Sequence, residues 1–61
     1  MERLHDYLNS VSSCTTVKLY DIDGNMLFYG DAAEITETIM FTNWNVVSHR
    51  FEQEILFIWI E

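Results

Sequence analysis

Apolar residues recur along this chain with two different periods, and the change of period divides it into elements. Over residues 2–12, Leu4, Tyr7, Leu8 and Val11 fall at i, i+3, i+4 and i+7, with Arg3, Asp6 and Asn9 between them. That spacing is one stripe of an amphipathic helix. Ser12 and Ser13 interrupt it, because short hydroxyl side chains compete for backbone hydrogen bonds. Residues 15–22 read Thr-Thr-Val-Lys-Leu-Tyr-Asp-Ile, a β-branched and aromatic stretch that predicts a strand. Asp23-Gly24 then predicts a tight reversal, since such a turn needs residues that tolerate positive φ. Asn25–Tyr29 is the returning strand, ended by Gly30.

Asp31-Ala32-Ala33-Glu34 has the spacing of a capping box, with Asp as the cap. A helix is expected over 32–40, with Ala32, Ile35 and Ile39 on one face, Ala33 and Met40 beside them, and Thr42-Asn43 closing it. Asn45–Phe51 and Glu54–Ile60 read as two further strands joined at Glu52-Gln53, neither of which is favoured in a two-residue turn. The order α-β-β-α-β-β predicts an α+β fold. Residues 1–61 form one small domain in two layers: a largely antiparallel four-stranded sheet with two helices packed on one face.

Alternation along the strands assigns the two faces. With two-residue turns, Tyr20 lies opposite Leu27 and Lys18 opposite Tyr29, while Val17, Leu19, Met26 and Phe28 point the other way. In the second hairpin Arg50 pairs with Ile55, Ser48 with Phe57 and Val46 with Trp59, leaving Val47, Phe51, Leu56, Ile58 and Ile60 on the far side. The aliphatic set of Val17, Leu19, Phe28, Val47, Leu56 and Ile58 is the natural bed for the helices. Tyr20, Leu27, Tyr29, Ile55, Phe57 and Trp59 are left on the opposite face, a broad aromatic surface fit for a protein interface. Two other arrangements stay open: one helix on each face, or a register slip at Glu52-Gln53 that reverses every side chain of one strand.

Composition sharpens this picture. The chain has 61 residues, 49% of them hydrophobic, and no proline. A domain of this size buries only about 60% of its unfolded surface, leaving a folded area of roughly 4,200 Å². So small a core makes self-association or a bound partner a natural source of stability. Ten acids against three bases give a formal charge of -7. Between Leu19 and His49 there is no Lys or Arg, whereas Asp21, Asp23, Asp31, Glu34 and Glu37 all fall there. Direct nucleic-acid binding is disfavoured for want of a basic face, as is attachment to anionic membranes. A basic protein partner would be attracted by those five acids. Lys18 and Arg50 border the aromatic face and leave it less acidic than the helix layer.

Candidate chemistry is sparse. Asp21-Ile22-Asp23-Gly24-Asn25 has the look of a calcium-loop start, but the glycine and closing glutamate of such a loop fall at Met26 and Ala32. A turn is the better reading. Cys14, His5 and His49 have no nucleophile or metal-ligand spacing, and two glycines do not build a phosphate cradle. Asp31, Glu34 and Glu37 read as a solvated helix face rather than paired catalytic carboxylates. Trp44 and Phe41 read as packing residues. No cofactor and no catalytic residue are expected. The lone Cys14 fits a reducing compartment. The first ten residues lack the basic-then-apolar order of a secretory signal. The longest apolar run, Ile55–Ile60, falls far short of the ~20 residues of a membrane span. A cytoplasmic protein is expected.

The stretch from Val17 to Gly30, followed by Asp31-Ala32-Ala33-Glu34-Ile35, resembles short proteins from phages and mobile elements of Gram-positive bacteria. Those proteins are similar in having a short leading helix, an Asp-Gly hairpin, a Gly before the second helix and an apolar terminal strand. The resemblance implies an accessory protein and brings no functional residue with it. Two non-enzymatic functions follow as expectations. One is an acidic interaction module that binds a basic protein surface, with inhibition by nucleic-acid mimicry as its sharpest form. The other is an assembly protein forming a homodimer or higher oligomer through its aromatic sheet face.

Overall fold

In the structure, a computed structural model that describes residues 2–37 and 43–61, the elements follow the expected order. Helix α1 spans Leu4–Leu8, strands β1 and β2 span Thr16–Asp21 and Met26–Asp31, helix α2 spans Ala32–Thr36, and strands β3 and β4 span Val46–Glu52 and Ile55–Ile60. The expected second helix over 32–40 is seen to Thr36 with Glu37 as its C-cap. Ile39, Met40, Phe41 and Thr42 lie outside the described residues.

The strands form one sheet in the order β2-β1-β4-β3. Each hairpin is antiparallel, but the central pair, β1 with β4, is parallel. The sheet is therefore mixed, and the expectation of a largely antiparallel sheet is met in part: two of its three strand pairings are antiparallel and the central one is not. Parallel neighbours need a crossover rather than a tight turn. Here the path from β2 through α2 to β3 carries the chain from one edge of the sheet to the other. The physical reason lies in burial. The first and last strands hold Val17, Leu19, Leu56, Ile58 and Ile60, each at most 5% exposed, so both take the middle of the sheet.

Both turns differ from the two-residue reversals expected at Asp23-Gly24 and Glu52-Gln53. In the first, the Gly24 N–H donates to the Asp21 carbonyl (3.1 Å) and the Asp21 N–H to the Asn25 carbonyl (3.0 Å). Ile22, Asp23 and Gly24 thus form a three-residue loop, with Gly24 at φ +89. Tyr20 then pairs with Met26 instead of Leu27, and a bulge follows before Leu19 pairs with Phe28. The extra loop residue and the extra strand residue, Leu27, offset each other, so Lys18 still faces Tyr29. In the second hairpin the turn is Gln53-Glu54, at φ 52 and 66. Arg50 pairs with Phe57, Ser48 with Trp59 and Glu52 with Ile55. Moving the turn by one residue shifts each partner by two, so those side chains keep their faces.

Leu4 and Leu8 of α1 and Ala32 and Ile35 of α2 share one buried cluster with Val17, Leu19, Leu56, Ile58 and Ile60. Tyr7, Val11, Phe28, Trp44 and Val46 pack against it. Val47, expected in this bed, is 45% exposed, and Val46 takes its place. The cause is a bulge between Val46 and Ser48, which changes the parity of β3 at its start. Met26 and Phe51, also expected to face the helices, are 52% and 66% exposed. Met26 is moved by the first bulge. Phe51 sits on the edge strand β3, beside the Gln53-Glu54 turn.

Backbone contacts anchor both helices. The Leu4 N–H donates to the Trp44 carbonyl (2.7 Å) and the Val46 N–H to the Glu2 carbonyl (2.8 Å), tying the entry of α1 to the entry of β3. At α2 Asp31 is the N-cap but makes no side-chain cap bond, so the Asp31 half of the expected capping box is not formed. The Ala32 N–H donates instead to the Thr15 carbonyl (2.9 Å) and the Ala33 N–H to the Ser13 carbonyl (3.3 Å). Carbonyls of the loop before β1 satisfy donors a carboxylate would otherwise serve.

Candidate interaction face

Side chains on β1 and β4 alternate between the core and the opposite side of the sheet. With Val17, Leu19, Leu56, Ile58 and Ile60 buried, Lys18, Tyr20, Phe57 and Trp59 stand on the other face. The registers line these up across all four strands in three rows. One row reads Tyr29, Lys18, Phe57, Arg50; the next Met26, Tyr20, Trp59, Ser48; the third Asp31, Thr16, Ile55, Glu52.

Aromatic rings fill the middle. Tyr20 and Trp59 have ring centroids 5.7 Å apart, Phe57 and Trp59 6.3 Å, and Tyr20 and Phe57 6.4 Å, with planes inclined by 15–22°. Offset stacks of this kind contribute about 0.5–1.5 kcal/mol per pair beyond the area they cover. Lys18 Nζ lies 5.3 Å from the Tyr29 ring centre and 5.6 Å from that of Phe57, so the ammonium is held against ring faces. On β3, Arg50 Nε and Glu52 Oε2 form a 3.1 Å ion pair. Both partners are more than half exposed, so the pair adds little stability. Shallow hollows of about 240 and 230 Å³ flank Trp59: Ile22, Val47 and Ser48 line one, Tyr20, Arg50, Glu52 and Phe57 the other.

Five of the six residues assigned to the aromatic face, Tyr20, Tyr29, Ile55, Phe57 and Trp59, occupy these rows. Tyr29 is 61% exposed, and the other four are half-buried among themselves. Leu27, expected opposite Tyr20, is instead the unpaired bulge residue. Met26, Ile22 and Val47 also belong to this surface. Strict alternation sends Met26 and Val47 inward, and only the bulges bring them out. The buried residues of α1 and α2 belong to the cluster on the other side of the sheet.

The five acids assigned to a partner surface fall into two groups. Asp21 and Asp23 lie at the tip of the first hairpin, whereas Asp31 lies at its open end, opposite Thr16, with Glu34 and Glu37 following on α2. Five strand residues, roughly 17 Å, separate the groups. Asp21 is also engaged within its turn. Its Oδ1 accepts from the N–H groups of Asp23 and Asn25 at 2.9 Å, and its Oδ2 accepts from the Asn25 side-chain amide at 3.1 Å. The Asn25 backbone N–H, before the other donors, holds this carboxyl below its ordinary value of 3.8. Asp23, Asp31, Glu34 and Glu37 are exposed.

Among the described residues, no three His, Cys, Asp or Glu side chains converge as metal ligands. Cys14 is an exposed free thiol, not the buried hydrophobe that lone cysteines commonly are. His49 stacks on Tyr7, with ring centres 4.8 Å apart. Burial and then the nearby Glu2 carboxylate raise the pKa of the Tyr7 hydroxyl. Trp44 packs against the core, as its expected packing role requires. No helix of the described residues is long and apolar enough to cross a membrane. No protein-family model, curated protein or solved structure matches the chain.

Proposed function

We propose that this chain is a non-enzymatic protein-interaction module whose working surface is the aromatic side of its sheet. The reading takes the fold as two layers, with α1 and α2 on one face and the other face open to a partner. The carrying observation is the stacked cluster of Tyr20, Phe57 and Trp59 at the centre of that face, with hollows on either side of Trp59. Aromatic residues at the centre of a patch dominate contact energies in protein interfaces. Soluble monomers rarely leave apolar patches of this breadth bare. The resemblance of residues 17–35 to short phage and mobile-element proteins makes a cytoplasmic accessory protein the setting that goes with this reading.

A second reading, capture of a basic protein by the acids, is favoured by the net charge of -7 and the base-free run from Leu19 to His49. Asp31, Glu34 and Glu37, which follow one another around α2, are its best candidates for contact. Mimicry of a phosphate backbone is less well served, because the Asp21 carboxylate is committed to its own turn.

Paired variants separate the two readings. Proteins that co-purify with the wild-type chain, a second copy of the chain included, are expected to be lost with Trp59→Asp and kept with the triple change Asp31→Asn, Glu34→Gln, Glu37→Gln. Loss with the triple change and retention with Trp59→Asp would reverse the order of the readings.

A further inference from the structure

We infer that the occupant of the aromatic face is a second copy of this chain, laid sheet against sheet. The inference rests on the reading above and adds the identity of the partner.

Area is the first argument. The chain exposes 4013 Å² on a body of 23 × 21 × 18 Å. One side of such a body offers roughly 700 Å², close to the ~800 Å² per partner of a stable interface. The sheet face is therefore large enough for a specific dimer without help from any other surface. Two sheets packed in this way meet about 10 Å apart, with side chains of the two inner faces interdigitating. The hollows beside Trp59, about 240 and 230 Å³, are open and roomy enough to admit side chains of a facing sheet. A two-fold dimer uses the same patch on both copies, so each ridge of rings meets the hollows of the other.

Charge is the second argument. The three rows carry two bases, Lys18 and Arg50, and two acids, Asp31 and Glu52, so the face is formally neutral. The whole net charge of -7 then resides on the remaining surface. Two identical chains repel through every acidic side and can approach closely through this one. The ammonium of Lys18 rests on the rings of Tyr29 and Phe57, and Arg50 is paired with Glu52, so neither base enters the contact bare. The sign of the salt effect follows. Screening weakens repulsion between two anions, so self-association tightens as salt rises, whereas attraction to a basic partner weakens.

Sedimentation equilibrium from about 5 to 500 μM, run at about 50 and 500 mM salt, tests the inference. It is combined with acrylamide quenching of Trp59 in a Trp44→Phe background. A dimer that tightens with salt and shields Trp59 as it forms is the expected result. Trp59→Asp should weaken it roughly a hundredfold. Tyr29→Glu, at a 61% exposed position where folding is not at stake, should weaken it at least severalfold. A monomer throughout, with Trp59 quenched to the extent its half-buried ring allows, overturns the second copy but leaves the face open for a different protein. A monomer with Trp59 shielded overturns both the inference and the reading beneath it. A dimer that survives both substitutions, or loosens with salt, also overturns the inference and moves the contact elsewhere, such as the exposed β3 edge.

Discussion

The second hairpin offers the sharpest test of the register that builds the aromatic face. Its turn places Gln53 and Glu54 at φ 52 and 66, a region that a side chain occupies at a cost of about 1–2 kcal/mol. Glu54→Gly removes that cost at one position, while the added freedom of glycine in the unfolded chain returns about 0.4–1 kcal/mol. The net gain is about 0.5–1 kcal/mol. For a domain of this size, 1 kcal/mol moves Tm by about 4–8 °C. Glu52→Gly should do the opposite. Glu52 is a strand residue opposite Ile55 and ion-paired with Arg50, and glycine in a strand costs about 1 kcal/mol. The two variants are compared by thermal and urea unfolding at fixed protein concentration, followed by far-UV circular dichroism. A turn at Glu52-Gln53 would reverse their order. If Glu52→Gly proves as stable as Glu54→Gly, the turn assignment is wrong. Arg50 would then lie opposite Ile55 rather than Phe57, and the rows on the open face would be rebuilt.

Other outcomes follow from the packing and the turns. Gly30→Ala should cost about 1–3 kcal/mol in urea unfolding, because a Cβ there would collide with the Glu34 carboxylate and lie 2.9 Å from the Phe28 ring. Adding Glu34→Ala should recover only part of that loss, since the ring remains. Val46→Ala should destabilise by about 1 kcal/mol and Val47→Ala by less than about 0.5 kcal/mol in the monomer; equal effects would argue against the bulge that turns one inward and the other outward. The Asp21 carboxyl is held below 3.8 in the folded chain, so it contributes stability above that value and loses it as pH falls through its lower folded pKa. Asp21→Asn should therefore be less stable than wild type near neutrality and match it in strong acid; a gap that persists unchanged to pH ~2 would mean the carboxylate charge is not what holds the turn.

Much of this architecture can be read from local pattern. The spacing of Leu4, Tyr7, Leu8 and Val11 predicts α1 because one helical turn returns each of them to the same side. The alternation of Val17 and Leu19 with Lys18 and Tyr20, and of Leu56, Ile58 and Ile60 with Phe57 and Trp59, separates core from open face because a strand reverses direction at every residue. These are short-range consequences of backbone geometry, and five of the six aromatic-face residues follow from them. The unbroken apolar run from Ile55 to Ile60 also hints at a central strand, since strands in the middle of a sheet lose the polar half of their pattern.

Other features needed the assembled molecule. That β1 lies beside β4, and parallel to it, follows from placing the two most apolar strands over the cluster of Leu4, Leu8, Ala32 and Ile35. No local signal reports a contact between residues forty positions apart. The bulges at Leu27 and between Val46 and Ser48 escape a sequence reading for a related reason. One extra residue changes which side chains face inward, yet it alters no residue type. The same geometry sets the five acids at two ends of a hairpin, though in sequence they look like one base-free run. Local pattern thus determines which residues can share a face, because side-chain direction is a property of the nearby backbone. Tertiary packing decides which strands adjoin, where the pleat slips and which face stays bare, because those outcomes depend on burying the whole apolar set at once.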